Sequence, residues 1–450
     1  MSRTIYIPYE TKNREFDGKL LLISYLLRTF NKVLLGSRKD VKREALNNYN
    51  GIYVLKSLAH SELDFYKTLK KRGFVIILIH AEGGIHYKDN TENILSAFNK
   101  EAMQYIDYNF VFGKTILESI HKFMSTDRSF ISGEPRFDLL KPRYREIFKQ
   151  DIESIKSQFG KFVLVNTNFG LANPFVGLTQ LIAYYEKDNT LTENAKKLHF
   201  EKLEFQKEIV ENYRDAIAKC ADEFKDLNFV IRPHPSESFK IYDELAQNHD
   251  NVFVSSKGNV VQWILASEAV IHYDCTTGME AALAKKPVIS YIPKVNQSVL
   301  AWLPVELSYK ARNWEELKHS IQQIPVFESI HSIDNEVHTI WKDLINNVEQ
   351  ESCPIIMKEI ANLADTFQMV KAQKSSLKKQ IQLQYLRKRT DLKIFVDGIK
   401  GRKSITRDKF GVLSIPEVKQ KLSLMNQLNG FDYSVKVKRI TKDVISLEKK

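Results

Sequence analysis

NFVIRPHPSE, residues 228–237, starts as a strand and ends as a rigid polar loop. Its apolar run Phe229–Ile231 is too short for a helix. It leads directly into Arg232-Pro233-His234-Pro235, where two prolines stiffen the chain as it leaves the sheet. Arg232 and His234 are therefore presented at a fixed angle. In a parallel sheet this carboxyl edge is where ligands bind, and a guanidinium beside an imidazole suits a phosphate through charge-assisted hydrogen bonds.

Similar segments recur on either side. KFVLVNTNF (161–169) lies upstream, and NVFVSS (251–256), AVIHYD (269–274) and PVISYI (287–292) follow at the spacing of a βα repeat. Between the first two strands, Leu198–Phe224 is a long charged segment with one apolar stripe, as in an amphipathic helix. The first third of the chain alternates in the same way. TIYIPY (4–9), a helix over Gly18–Phe30, KVLLGS (32–37), FVIILIH (74–80), Tyr108–Phe112 and Ser129–Ser132 succeed one another. FVIILIH is continuously apolar, as expected of a parallel strand covered on both faces. The expected architecture is α/β: two Rossmann-like βα domains, residues 1–150 and 151–350, facing across a cleft. Linking helices and a basic C-terminal α+β extension follow over 351–450.

Composition limits the function classes. At 450 residues, 43% apolar and 27% charged, the chain reads as globular, and 26 Phe with 19 Tyr exclude disorder throughout. No apolar stretch approaches the roughly 20 residues needed to span a bilayer. The N-terminus has no signal-peptide pattern. Cys220, Cys275 and Cys353 contain no CxxC pair and cannot form a disulfide framework, so a reducing cytoplasm is expected. The net charge of +12 is unevenly placed. Residues 371–450 hold 21 Lys or Arg against 7 Asp or Glu, leaving 46 against 48 in the first 370 residues. The body is nearly neutral, and the tail has no recognisable nucleic-acid module, so nucleic acid is not an expected partner.

A second chemical signal lies at IHYDCTTGMEAA, 271–282. A strand ends, and Thr276, Thr277 and Gly278 open a good helix former, giving free N–H groups and hydroxyls for an anion. Glu280 lies one turn inside, where its carboxylate either meets ribose hydroxyls or complements the helix dipole. Asp274 either caps the turn or acts as nucleophile or base. In the first domain, Glu82 follows a strand and precedes Gly83-Gly84, a position suited to a general base that a ligand can approach. Thr167 and Asn168, in the loop after 161–169, are candidates to line the cleft. There is no GxxxxGK[ST], no GxGxxG opening a helix, no HExxH and no Asp-x-Asp, so neither a P-loop nor a metal site is expected.

Together these residues resemble a known group. RPHPSE and DCTTGMEAALAKKPVISYIP (274–293) resemble the nucleotide-binding half of GT-B glycosyltransferases. HAEGG (80–84), SGEPRFD (132–138), VNTNFG (165–170) and GVLSIPEVKQKLSLMNQLNG (411–430), taken in order, resemble the bacterial surface carbohydrate biosynthesis protein family. That family is similar to transferases using CMP-activated ulosonic acids such as Kdo and sialic-like sugars. The resemblance implies that residues 1–150 form the acceptor domain and 151–350 the nucleotide-sugar domain, that Arg232 and His234 meet the CMP phosphate, that Thr276, Thr277 and Gly278 hold phosphate, and that Glu280 faces the nucleoside. Glu82 would take the place of the family's acidic residue, although the preceding acidic position is Ala81 here.

The expected chemistry is metal-independent sugar transfer from a CMP-sugar donor to a glycan or lipid-linked glycan acceptor of lipopolysaccharide or capsule, with no cofactor. The alternatives are CDP-polyol phosphotransfer or UDP-sugar epimerisation on the same fold, or a non-catalytic membrane-associated assembly protein. In the tail, Thr366–Arg389 reads as a basic helix in which Lys378, Lys379, Arg387 and Lys388 alternate with apolar residues. Residues 366–450 are thus a candidate contact with an anionic membrane surface, on the inner face of the plasma membrane.

Overall fold

A computed structural model describes residues 3–58, 60–81, 99–121, 127–187, 193–296, 300–326, 335–364 and 413–450. Glu82 and the basic segment Thr366–Arg389 lie outside the described residues. Among the described residues, no helix is long and apolar enough to cross a membrane.

The chain forms two compact units. The first carries strands β1 (Thr4–Tyr9), β2 (Lys32–Ser37), β3 (Ile52–Leu55), β4 (Val75–Ile79), β5 (Tyr108–Val111) and β6 (Ser129–Ile131). The second, essentially Leu140–Trp341, carries β7 (Phe162–Asn166), β8 (Asn228–Arg232), β9 (Val252–Val254), β10 (Ala269–His272), β11 (Val288–Tyr291) and β12 (Tyr309–Ala311). The final hairpin is β13 (Val435–Thr441) with β14 (Val444–Lys449).

All five residues of β4 are buried, which is why its sequence shows no polar alternation. Strand β7 is likewise buried at every position and lies at the centre of the second sheet. The long helix Glu193–Glu223 covers that sheet through Ile209, Tyr213, Ile217 and Cys220, a stripe at three- and four-residue spacing that joins Phe229, Ile231 and Ile271 in one core.

The described C-terminal residues, 413–450, join the first unit instead of forming a separate extension. Strand β14 pairs antiparallel with β2, giving the first sheet the order β13-β14-β2-β1-β3-β4-β5-β6. The helix Ile415–Leu428 packs on the helix Lys12–Leu26 and is pinned by Lys421 to Asp17 at 2.8 Å and by Lys12 to Glu417 at 3.2 Å. Part of the tail's positive charge thus fastens the fold internally. The chain also returns to the first unit earlier, at Lys342, rather than continuing the second domain to residue 350.

SGEPRFD explains that return. Asp138 is fully buried and accepts from Asn347 Nδ2 at 2.7 Å, Ser352 N at 2.9 Å, Ser352 Oγ at 3.1 Å and Cys353 N at 2.8 Å. These bonds satisfy the start of the helix Ser352–Ala364. Asn347 also grips Glu134 from both sides, accepting its N–H at 2.7 Å and donating to its carbonyl at 3.1 Å.

Candidate functional site

The second sheet is all parallel, in the order β12-β11-β10-β7-β8-β9. Strand β7 comes first in the chain. The chain then adds β8 and β9 on one side and β10 to β12 on the other. The direction reverses between β7 and β10, so the crevice outside their carboxyl ends is the topological switch point where ligands of open α/β sheets bind. Asn166, Arg232 and His272 end β7, β8 and β10. Strands β8 and β10 flank β7, so their ends stand about 10 Å apart, twice the strand spacing. The sequence candidates after these strands are brought to one edge.

The loops after β7 and β8 are zipped together. Pro174 bridges Glu237, Phe175 N donates to Ser236 O at 2.8 Å, and Ser238 N donates to Asn173 O at 2.9 Å. Gly170 makes this approach possible, because a Cβ there would lie 2.1 Å from Ser236 Oγ. Glu237 anchors the turn from below. It is 1% exposed and accepts from Thr167 Oγ1 at 2.8 Å, Tyr242 OH at 2.6 Å and the His234 N–H at 3.0 Å. Burial pushes its carboxyl above the usual range, while these donors pull it back.

His234 itself is exposed. Its Nδ1 accepts from Ser236 N at 3.3 Å and faces Ser236 Oγ at 2.7 Å, which makes Nε2 the N–H donor of the neutral ring. Arg232 donates to the carbonyls of Lys257 at 2.9 Å and Gly258 at 2.6 Å. Among the described residues no carboxylate pairs with it, and burial lowers its guanidinium to about 10. The site therefore holds a half-buried cation that has no counter-charge among the described residues.

At β10, the helix Thr276–Leu283 starts after Cys275 without a side-chain cap. This start, with Thr276 and Thr277 partly exposed, suits an anion. Gly278 has a steric role at this start. A Cβ there would lie 2.3 Å from His272 Nε2, so glycine lets the helix pack on the strand. His272 is held between Ser308 Oγ at 2.9 Å and Cys275 N at 3.2 Å, and burial lowers it to about 3, so it stays neutral. Glu280 is only 3% exposed and lies in the interior rather than presented to a nucleoside. Burial also pushes the Cys275 thiol up, leaving no thiolate to react.

Thr167 and Asp274 have structural partners. Thr167 is 2% exposed and committed to Glu237, so it does not line an open surface. Asp274 accepts from Asn168 Nδ2 at 2.6 Å and from Ala301 N at 3.1 Å. Both its oxygens are engaged, so it ties three loops together instead of standing free as a nucleophile. Asn168 is partly exposed at the switch point and carries this link. Sequence reasoning missed the anchoring role of Glu237 and the Lys257–Gly258 contact of Arg232. The available signal for Glu237 was an acid three residues after His234, the spacing at which a carboxylate accepts a turn's N–H. Among the described residues, no group of three or more His, Cys, Asp or Glu is placed to hold a metal ion.

No family model matches the chain, and no curated protein matches it in sequence. Solved structures do match in fold. A variant of the wall teichoic acid polymerase TagF is 10% identical at a TM-score of 0.50, covering 81% of this chain and 90% of its own. The UDP-GlcNAc 2-epimerase from Neisseria meningitidis, bound to UDP-GlcNAc, is 11% identical at 0.49, covering 80% and 100%. S. aureus MnaA with UDP is 12% identical at 0.46, covering 84% and 100%. At these identities the likeness is one of fold: two GT-B-like units, each built on a parallel sheet.

Proposed function

We propose that the chain is a transferase of bacterial surface-glycan synthesis that takes a nucleotide-activated donor at the switch point of its second unit. The observation that carries this reading is the half-buried Arg232, which has no carboxylate partner among the described residues. Beside it on one sheet edge stand the His234 Nε2–H and the uncapped start of Thr276–Leu283. A partly desolvated cation without a counter-charge carries a cost that a phosphate from solution relieves.

The donor we favour is a CMP-linked ulosonic acid, in line with the sequence resemblance. Its phosphate is already a good leaving group. Arg232, His234, Thr276 and Thr277 would stabilise the negative charge as the glycosidic bond breaks. His234 would donate through Nε2. Glu82, assigned from sequence alone, would accept the proton of the acceptor hydroxyl. Asp274 and Glu237 would keep the loops in place. The acceptor would be a glycan or lipid-linked glycan, met at the inner membrane face. A second reading keeps this site and moves a polyol phosphate from a CDP-polyol. It is favoured by the fold match to a wall teichoic acid polymerase.

Thermal-shift measurements with CMP, CDP and UDP test the reading. Stabilisation by CMP above the others supports the ulosonic-acid donor, and stabilisation by CDP above CMP supports the polyol. Stabilisation by UDP alone would sink both.

A further inference from the structure

RPHPSE carries one polar side chain to which the proposed chemistry gives no part. Ser236 is exposed, so water alone could satisfy its hydroxyl. It is nonetheless held by several contacts. Its carbonyl accepts from Phe175 N at 2.8 Å, its N–H donates to His234 Nδ1 at 3.3 Å, and its Oγ stands 2.7 Å from the same ring nitrogen. Gly170 packs against it so closely that one added methyl group would lie 2.1 Å from Oγ. We propose that Ser236 is a positioning residue: set in place by the loop after β7, it holds the His234 ring as an Nε2–H donor. That this donor meets a phosphate rests on the transferase reading above; the positioning does not.

Fixed geometry gives this contact its weight. A hydrogen bond between two exposed side chains contributes little in water and frays when either can rotate away. Here neither backbone is at liberty. Pro233 and Pro235 stiffen the chain on both sides of His234, whose N–H donates to the buried carboxyl of Glu237 at 3.0 Å. Ser236 is fixed by Phe175 and Gly170 of the loop after β7. Because Nδ1 receives the Ser236 N–H, it carries no proton, and the serine Oγ–H is the donor in the 2.7 Å contact. Two donors on Nδ1 assign the proton of the neutral ring to Nε2 and fix the plane of the imidazole. The chemistry of the partner matters too. Glu237 is close in sequence, but its oxygens go to Thr167, Tyr242 and the His234 N–H. The side chain on Nδ1 is a neutral hydroxyl, which adds no negative charge to repel an incoming anion. A ring held in this way donates in a set direction and needs little reordering when a ligand arrives.

NMR of the full chain with nitrogen-labelled histidine tests the proposal, and His234→Ala identifies the ring's signals. The spectra are taken about two pH units above the ordinary histidine value, where the ring is neutral. The wild-type ring is expected to show the nitrogen shifts of a single tautomer with its proton on Nε2. Ser236→Ala is expected to move both nitrogens toward a mixture of tautomers and to weaken CMP binding about tenfold, with stability in urea unchanged. Gly170→Ala should reproduce the tautomer mixture with the serine still in place, because the added methyl group displaces Oγ. A single tautomer that depends on Ser236, in a chain that ignores CMP, would uphold the positioning while removing the donor assignment. Wild-type shifts of a mixed ring or of an Nδ1–H ring, or shifts untouched by Ser236→Ala, would overturn it.

Discussion

The carboxyl edges of the two sheets share an architecture and differ in charge. In the first unit, Arg38, Lys42 and Lys56 face Glu10, Glu15 and Glu62, so each positive group is neutralised by the protein. In the second, Arg232 donates to two carbonyls and lies over the Trp263 ring, with no carboxylate partner among the described residues, and its neighbours on the edge are an exposed histidine and threonine hydroxyls. A parallel sheet with a switch point supplies a place for a ligand. The balance of formal charge at that place decides which ligand it suits, and Arg232 is a cation with which an anionic ligand can pair.

The comparison breaks most readily at Glu237. Replacing it with Ala strands three donors beneath the His234 turn, with an expected loss of about 4 kcal/mol of stability in urea unfolding. Glu237→Gln, which keeps an acceptor, should lose about 1 kcal/mol. If both lose equally, the hydrogen bonds are not what holds the edge. Next is His234→Ala. The ring is exposed, so stability should be unchanged, while donor turnover falls roughly 100-fold. A variant with full turnover would remove His234 from the chemistry.

Acid sharpens the comparison within the first unit. Burial raises the Glu15 carboxyl, but Lys19 and Lys56 outweigh it and bring it down to about 2, from 4.5 for a free glutamate. A lowered folded value means stability that is present above pH 4.5 and lost as pH falls toward 2. The expected contribution is about 3 kcal/mol, absent in Glu15→Gln. Glu134 has the opposite sign. Burial raises it to about 7, despite Arg136 and Lys19. The folded chain then binds the extra proton between pH 4.5 and 7, so stability falls as pH rises through that window. Glu134→Gln should gain about 3 kcal/mol above pH 7 and nothing below 4.5. Equal pH profiles for the two variants would contradict the contrast.

Much of this was legible in the sequence. FVIILIH and NFVIR are strands because a doubly covered parallel sheet buries such short apolar runs, and the carboxyl edge that follows them is where ligands of such sheets bind. Tertiary pairing was not legible. VKVKRIT alternates as a one-sided strand should, yet nothing in it names β2, some 400 residues away, as the sheet it joins through β14. The side-chain partners at the site were not legible for the same reason. Thr167, Gly278 and Asp274 stand at the expected edge, but Glu237, His272, Asn168 and Ala301 occupy them, and those contacts exist only once the chain has folded.

The most direct measurement is a crystal structure of the full chain with CMP. The expected result is the CMP phosphate against His234 and the start of Thr276–Leu283, with the Arg232 guanidinium as its counter-charge. CMP seated among Glu10, Arg38 and Lys56, or away from both edges, would contradict the assignment of the donor to the second sheet.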